Sequence, residues 1–294
     1  MDPDSGPLEV IRYDDPAAFV HDGAPVLRTN AARNNLPVAI LDVLVHQPEV
    51  YPTFHLWMAM REGQPRGIAL QTEPFGIVLG EPLDDDVIDA LVDAVILDAG
   101  PLPTVIGNLP WVDRFVERIT ETTGRTAVRL LNEGMWELTA VADVPVPNGA
   151  ARLAMLDDRE LLRAWIPAFE EEAIPPQTPV RTEEATMLVV ELRLEGRGGG
   201  YWLWEDGTPV ALAGFRVIPG VGSRIGPVYT PPEHRRRGYA TRLVAELSAS
   251  RLAQGDPACF LTTDLANPTS NAIYARIGYV KVCDAVEYAF HAEP

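Results

Sequence analysis

The sequence predicts a mixed α/β (α+β) protein made of two tandem domains, each a mixed, mostly antiparallel sheet flanked by helices. Three observations predict it. From residue 54 onward, short apolar strand-like runs alternate with amphipathic helical runs in both halves of the chain. The halves can be laid over one another: Glu62-Gly63-Gln64-Pro65 matches Asp206-Gly207-Thr208-Pro209 at a hairpin, 75–80 matches 224–229, and Gly124 falls where Gly278 falls. Trp136-Glu137-Leu138 likewise runs like Val286-Glu287-Tyr288. Between the halves, Asp143-Val144-Pro145-Val146-Pro147-Asn148-Gly149 has the composition of a linker. The expected domains are residues 1–145 and 150–294.

In chain order, residues 1–50 offer only two helical segments, 17–20 and 37–46; the rest reads as loop. Residues 54–60 and 66–71 form an expected hairpin, and 75–80 a third strand. Residues 84–98 are an amphipathic helix opened by aspartates, which suit a helix N-terminus. A strand (103–108) and a helix (110–123, stopped by Gly124) follow, then two strands, 125–131 and 135–141. The second half repeats this order. It has a strand (151–156), a helix (157–172), a Pro-rich loop (174–179), a capped helix (182–195) and a flexible loop (196–200). A hairpin (201–205 and 209–217) leads to a strand (223–230) and a helix (239–252). A strand (258–263), a helix (269–276) and two strands (279–284 and 286–291) end the chain.

With 294 residues, 47% apolar and 22% charged, the chain has room for two globular domains. The net charge of −18 argues against nucleic acid as a partner. No run approaches a membrane span, and residues 1–5 lack the basic and apolar regions of an export leader, so no membrane role and a cytoplasmic location are expected. Cys259 and Cys283 lie in apolar strand-like runs without metal-ligand spacing and read as reduced core thiols. Charge is uneven: residues 1–148 hold 23 acidic against 9 basic residues, net −14, whereas 149–294 hold 19 against 15, net −4. The second half is the one suited to a polyanionic ligand.

That half contains Arg235-Arg236-Arg237-Gly238-Tyr239-Ala240-Thr241, between a strand-like segment and a helix. A helix N-terminus presents free backbone N–H groups and a dipole that favours negative charge. Gly238 and Ala240 let backbone approach a phosphate, and three arginines add charged donors. The stretch resembles the acyl-CoA pyrophosphate loop of the GNAT superfamily of N-acyltransferases, whose pattern Gln/Arg-x-x-Gly-x-Gly/Ala is met by Arg235, Gly238 and Ala240. A second match is Asn267, Tyr274, Gly278 and Tyr279 in their family places. The resemblance covers 151–294 well and 50–141 weakly. At the corresponding place the first half carries Glu81-Pro82-Leu83-Asp84-Asp85-Asp86, whose four carboxylates would repel a pyrophosphate. It is therefore expected to be a degenerate GNAT-like domain without a CoA loop.

The resemblance implies acetyl-CoA as cosubstrate and direct attack of a primary amine on its thioester in a ternary complex. Residues 235–241 and Asn267 would line the cofactor. Gly226-Pro227 within a strand marks a bulge; in the family such a bulge opens a slot for pantetheine, met by the backbone of Val228 and Thr230. The Val228 amide would polarise the thioester carbonyl. Tyr274 would protonate the departing sulfur. No base is named by any motif; Glu170, Glu171, Glu172, Glu183, Glu184 and Asp264 are candidates, and Tyr201 and Tyr229 could line the acceptor pocket. The expected acceptor is a small-molecule or peptide amine of cationic character. The competing reading is an acyl-CoA-binding or regulatory protein without turnover.

Overall fold

The computed structural model describes residues 6–98 and 102–291. The leader reading of residues 1–5 lies outside these. The first half runs β1 (Leu8–Tyr13), α1 (Pro16–Thr29), α2 (Asn35–His46), β2 (Phe54–Arg61), β3 (Gln64–Thr72), β4 (Ile77–Gly80), α3 (Asp85–Asp98), β5 (Thr104–Asn108), α4 (Trp111–Thr123) and β6 (Thr126–Leu138). The second repeats that order as β7 (Ala150–Leu153), α5 (Arg159–Ala173), α6 (Glu183–Leu194), β8 (Gly199–Asp206), β9 (Thr208–Ile218), β10 (Gly222–Tyr229), α7 (Tyr239–Ala253), β11 (Cys259–Asp264), α8 (Pro268–Ile277) and β12 (Val280–His291). The repeat holds in detail. The two hairpin glycines share a left-handed φ, 74° at Gly63 and 76° at Gly207. Gly124 and Gly278 end equivalent helices at φ 70° and 112°.

Several expectations are corrected. β1 is a strand, where polar Glu9 and Arg12 made an edge strand look like loop. α1 continues through Gly23 and Pro25, with Asp15 capping it at the Ala17 amide. The strand pairs expected at 125–141 and 279–291 are single long strands, and Gly199–Gly200 open β8 rather than a loop. The linker is packed: Val144 is buried, and the Trp204 indole donates to the Asn148 carbonyl at 2.8 Å.

By compactness the chain divides into two units. One comprises Met1–Glu133, Gln177–Val180 and Cys283–Pro294, the other Gly134–Pro176 and Arg181–Val282. β12 from Cys283 onward thus belongs to the first unit, and β6 from Gly134 onward to the second. Ladder partners decide this: β12 from Cys283 onward lies antiparallel to β5, Ala285 against Asn108 through Ala289 against Thr104. The Trp136 indole at the end of β6 donates to Thr263 Oγ1 of β11 at 2.9 Å.

In the first unit the strand order is β1-β2-β3-β4-β5-β12, with β4 and β5 parallel. Strand periodicity sends Trp57 and Ala59 to one face, where α3 and α4 bring Val87, Leu91, Phe115 and Ile119. In the second unit the order is β6-β11-β10-β9-β8-β7, with β10 and β11 parallel. Trp204, Ala213 and Ile225 meet α7 and α8 on one face; Tyr201, Leu203, Leu212 and Tyr229 meet α5 and α6 on the other. Each fully buried Leu, Val or Phe contributes roughly 1.5–3 kcal/mol of hydrophobic free energy. Neither cysteine forms a disulfide: Cys259 lies in the second unit's core, and half-buried Cys283, in the first unit, donates to Asn108 Oδ1 at 3.5 Å.

Candidate functional site

Gly226-Pro227 in β10 changes the strand from a regular ladder into an opening. Ile225 pairs with Phe215 and Val228 with Ala213, so two residues of β10 face Gly214 alone. The extra residue puts Ile225 and Val228, three positions apart, on the same face, which a regular strand forbids. Gly214 is required there: an added Cβ would lie 2.7 Å from the Gly226 oxygen and 2.9 Å from Pro227 Cδ. On its other side β10 is registered with β11 only at Ser223–Cys259 and Arg224–Phe260. Past Arg224 the strands separate, and the backbone of 226–229 is left unpaired toward β11. An extended ligand can add there as a strand.

The loop after β10 delivers the start of α7 beside this opening. Arg236 (φ 63°) and Gly238 (φ 83°) are both left-handed, and Gly238 occupies the cap position of α7. Among the described residues no side chain caps α7, so the amides of Tyr239, Ala240 and Thr241 have no side-chain acceptor. A Cβ at Gly238 would meet nothing within 4 Å, so the space above the loop is open. Beside it, the buried Oγ1 of Thr230 and Nδ1 of His234 have no hydrogen-bond partner among the described residues. Each such atom costs about 1–3 kcal/mol unless a ligand satisfies it. His234 is a site feature that no spacing in the sequence announces.

The three arginines differ. Arg235 Nη2 donates to both carboxylate oxygens of Glu172 (2.8 and 2.7 Å), and its Nε donates to the Thr230 carbonyl at 2.8 Å. Arg237 Nη2 donates to the Glu233 carbonyl at 3.2 Å. Arg236 has no partner among the described residues. Tyr239 contributes backbone only: its ring is in the core and its hydroxyl donates to Asp206. Thr241 is buried as well.

Asn267 caps α8, its Oδ1 accepting from the Ser270 amide at 3.1 Å, so its side chain is spent on the helix. A neighbouring network, absent from the sequence reading, runs from the Trp136 indole to Thr263, and from Thr263 Oγ1 to Asn271 Oδ1 at 2.6 Å. Tyr274 packs against the α7–α8 core, edge-on to Tyr279 with ring centroids 5.9 Å apart. Its hydroxyl has no partner among the described residues, and desolvation pushes the phenol up to about 12. It therefore keeps its proton across the physiological range.

The carboxylates separate by environment. Glu172 is tied to Arg235, and Asp264 accepts from the Ala266 amide in its own turn. Glu171, Glu183 and Glu184 are exposed, the last two in the first turn of α6. Glu170 is half-buried, and desolvation raises its pKa, opposed by the charge of Arg181. It lies near the C-terminal end of α5, two residues before Glu172. Trp165, on the same helix, meets Tyr229 of β10 edge-on at 6.0 Å. Tyr201 and Tyr229 are buried in the α5–α6 core.

Among the described residues, the corresponding strand and helix start of the first unit are closed. β4 pairs with β3 without a bulge, Ile68–Gly80 through Gln71–Ile77. Asp84 Oδ1 accepts from the Val87 amide at 2.8 Å and so caps α3. Glu81 is buried against Arg33, with contacts of 2.5 and 2.6 Å, and its backbone is held at both ends by Asn34. Among the described residues no cluster of His, Cys, Asp and Glu could hold a metal, and no helix is long and apolar enough to cross a membrane.

Residues 204–289 match the FR47-like protein family. No curated protein matches the chain in sequence. Among solved structures, a GNAT-family acetyltransferase from Colwellia psychrerythraea is similar with a TM-score of 0.60 and 12% identity, over 96% of this chain and 100% of that one. A tandem GNAT protein of the clavulanic acid biosynthesis pathway matches with a TM-score of 0.59 and 13% identity, over 98% and 99%. A GCN5-related N-acetyltransferase from Sphaerobacter thermophilus matches with a TM-score of 0.56 and 16% identity, over 97% and 96%. With the bulged strand and arginine loop inside the matched segment, and the repeat spanning the whole chain, the protein has the fold of tandem-domain GNAT proteins, and its second half carries the FR47-like segment.

Proposed function

We propose that the second unit is an N-acetyltransferase that moves acetyl from acetyl-CoA to a primary amine. The carrying observation is the uncapped α7 N-terminus, behind a left-handed glycine, beside a strand pair that separates at a bulge. The amides of 239–241 suit a pyrophosphate, and the unpaired backbone of 226–229 suits pantetheine. The Thr230 hydroxyl and His234 imidazole add polar groups that a ligand would satisfy. Acetyl-CoA supplies an activated thioester with a thiolate leaving group. The Val228 amide is assigned to polarise the thioester carbonyl, and Tyr274 to donate its proton to sulfur. The first unit, with α3 capped and no bulge between β3 and β4, binds no CoA in this reading. The test is free-thiol release from acetyl-CoA with polyamines, aminoglycosides, amino acids and peptides as acceptors. CoA binding without thiol release across the panel would instead mark a binding protein.

Glu170 is assigned as the base that takes the amine proton, directly or through water. Its desolvation raises basicity, opposed by the charge of Arg181, and among the described residues no hydrogen-bonded partner consumes it. The base works ionised, so activity falls as pH drops through a pKa that lies above the usual carboxylate value. Glu170→Gln is expected to lower kcat by about 10²–10⁴-fold and to remove this acidic limb. Stability follows the opposite sign. A folded-state pKa above the unfolded one means that protonation favours the fold and that ionisation, as pH rises, costs stability. Glu170→Gln should therefore melt no lower than wild type at pH 7. An intact acidic limb in the variant would remove Glu170 from the role.

The acceptor is proposed to be cationic. Glu170, Glu171 and Glu172 end α5, and Glu183 and Glu184 begin α6, so acidic groups flank the connection between these helices. Such an edge concentrates cations. For a polyamine acceptor, kcat/KM should fall several-fold between about 20 and 300 mM salt, as the Debye length shrinks from roughly 20 to 6 Å. A flat profile, or preference for an anionic acceptor, would overturn this.

A further inference from the structure

The arginine run is expected to bind phosphate with every side chain, yet two of its three guanidiniums are turned to the protein. Arg235 closes back on β10 through the Thr230 carbonyl and reaches across to Glu172 at the end of α5. Its guanidinium also lies 6.0 Å from the centre of the Tyr229 ring. Arg237 closes on Glu233, one turn back. Between them Arg236 holds a left-handed conformation that a non-glycine residue adopts only where its surroundings impose it. The contacts of Arg235 and Arg237 are those surroundings.

We propose that Glu172 is a positioning residue for the anion site: through Arg235 it holds the loop in the conformation that presents the α7 amides, and Arg236 is the arginine left to meet a phosphate. The proposal rests on the reading of this loop as the CoA pyrophosphate site. It joins the two sides of the site, because α5 also carries Glu170. The pair is half-exposed, with side chains 41% and 47% accessible, so its effect is modest and screened by salt. Its role is geometric: three contacts on one guanidinium tie the β10 end, the loop and the α5 end together.

Two arrangements give opposite signs. If Arg235 is a strut, Glu172→Gln loosens the loop and weakens CoA binding. If Arg235 is itself a phosphate ligand held back by Glu172, the same change releases it and tightens binding. The experiment is calorimetric titration of the full-length protein with CoA at low salt, for wild type, Glu172→Gln, Arg235→Gln, the double variant, Glu172→Asp and Arg236→Gln. Expected are Kd increases of about fivefold for Glu172→Gln and for Arg235→Gln, the scale of one exposed ion pair. The double variant should be no weaker than either single one, as coupled residues behave. Glu172→Asp should recover part of the loss, and Arg236→Gln should weaken binding without reference to Glu172. The melting temperature, followed in parallel, should move little, which separates loop positioning from damage to the fold. Tighter or unchanged binding by Glu172→Gln, or additive effects in the double variant, would overturn the strut. Wild-type protein that binds no CoA would overturn the underlying reading along with it.

Discussion

Gly238→Asp is expected to abolish CoA binding, while Asp85→Ala leaves it unchanged. Gly238 sits at φ 83° with open space above it, at the cap of a helix whose first amides have no side-chain cap among the described residues. Aspartate tolerates the left-handed region better than most residues, so the backbone cost is about 1 kcal/mol. Electrostatics decides the outcome. A carboxylate about 4 Å from a phosphate charge costs about 4 kcal/mol at the effective dielectric of a protein surface. Its oxygens can also cap α7 and compete for the amides that the ligand needs. Together these should raise Kd by about 10²–10³-fold, which calorimetry reads as lost binding. Asp85 stands at the corresponding helix of the first unit, where Asp84 already caps α3 and Asp85 meets Arg114 at 3.1 Å. Two CoA sites per chain, or wild-type affinity in Gly238→Asp, would sink the assignment.

Tyr274→Phe is expected to lower kcat by about 10²–10⁴-fold and to leave the CoA dissociation constant within a few-fold. The hydroxyl has no partner to lose among the described residues, and the ring that packs on the α7–α8 core is retained, so stability should hardly change. A phenol at about 12 is a weaker acid than the thiol it serves, so its action must be strongest as negative charge develops on sulfur. That confines the loss to kcat. Deprotonation of Tyr274 would remove the donor only above about pH 12, so the basic limb of the pH profile should not come from this residue. An unchanged kcat, with the chemical step shown to be rate-limiting, would rule out the acid role.

The repeat, the hairpins, the glycine-stopped helices and the loop before α7 were legible because each is local. Asp-Gly and Glu-Gly turns, alternation of apolar residues and a glycine at a helix end specify backbone conformation within a few positions. The difference between the halves was legible for the same reason: four carboxylates at 81–86 and three arginines at 235–237 are read directly as charge. β1 was missed because an edge strand with one wet side carries little apolar alternation.

What the sequence by itself determined is the fold class, the twofold repeat and the position of the arginine–glycine loop before α7, since these follow from patterns within single elements and from charge. Only the tertiary structure decided which strand completes which sheet, which arginine is spent on Glu172, which carboxylate is desolvated and which hydroxyl is left unpaired. Each of these depends on groups far apart in the chain, such as Glu172 and Arg235, 63 positions apart, or Asn108 and Ala285 in one ladder. Spacing along the chain cannot encode them, because burial and hydrogen-bond partners exist only once the layers have packed.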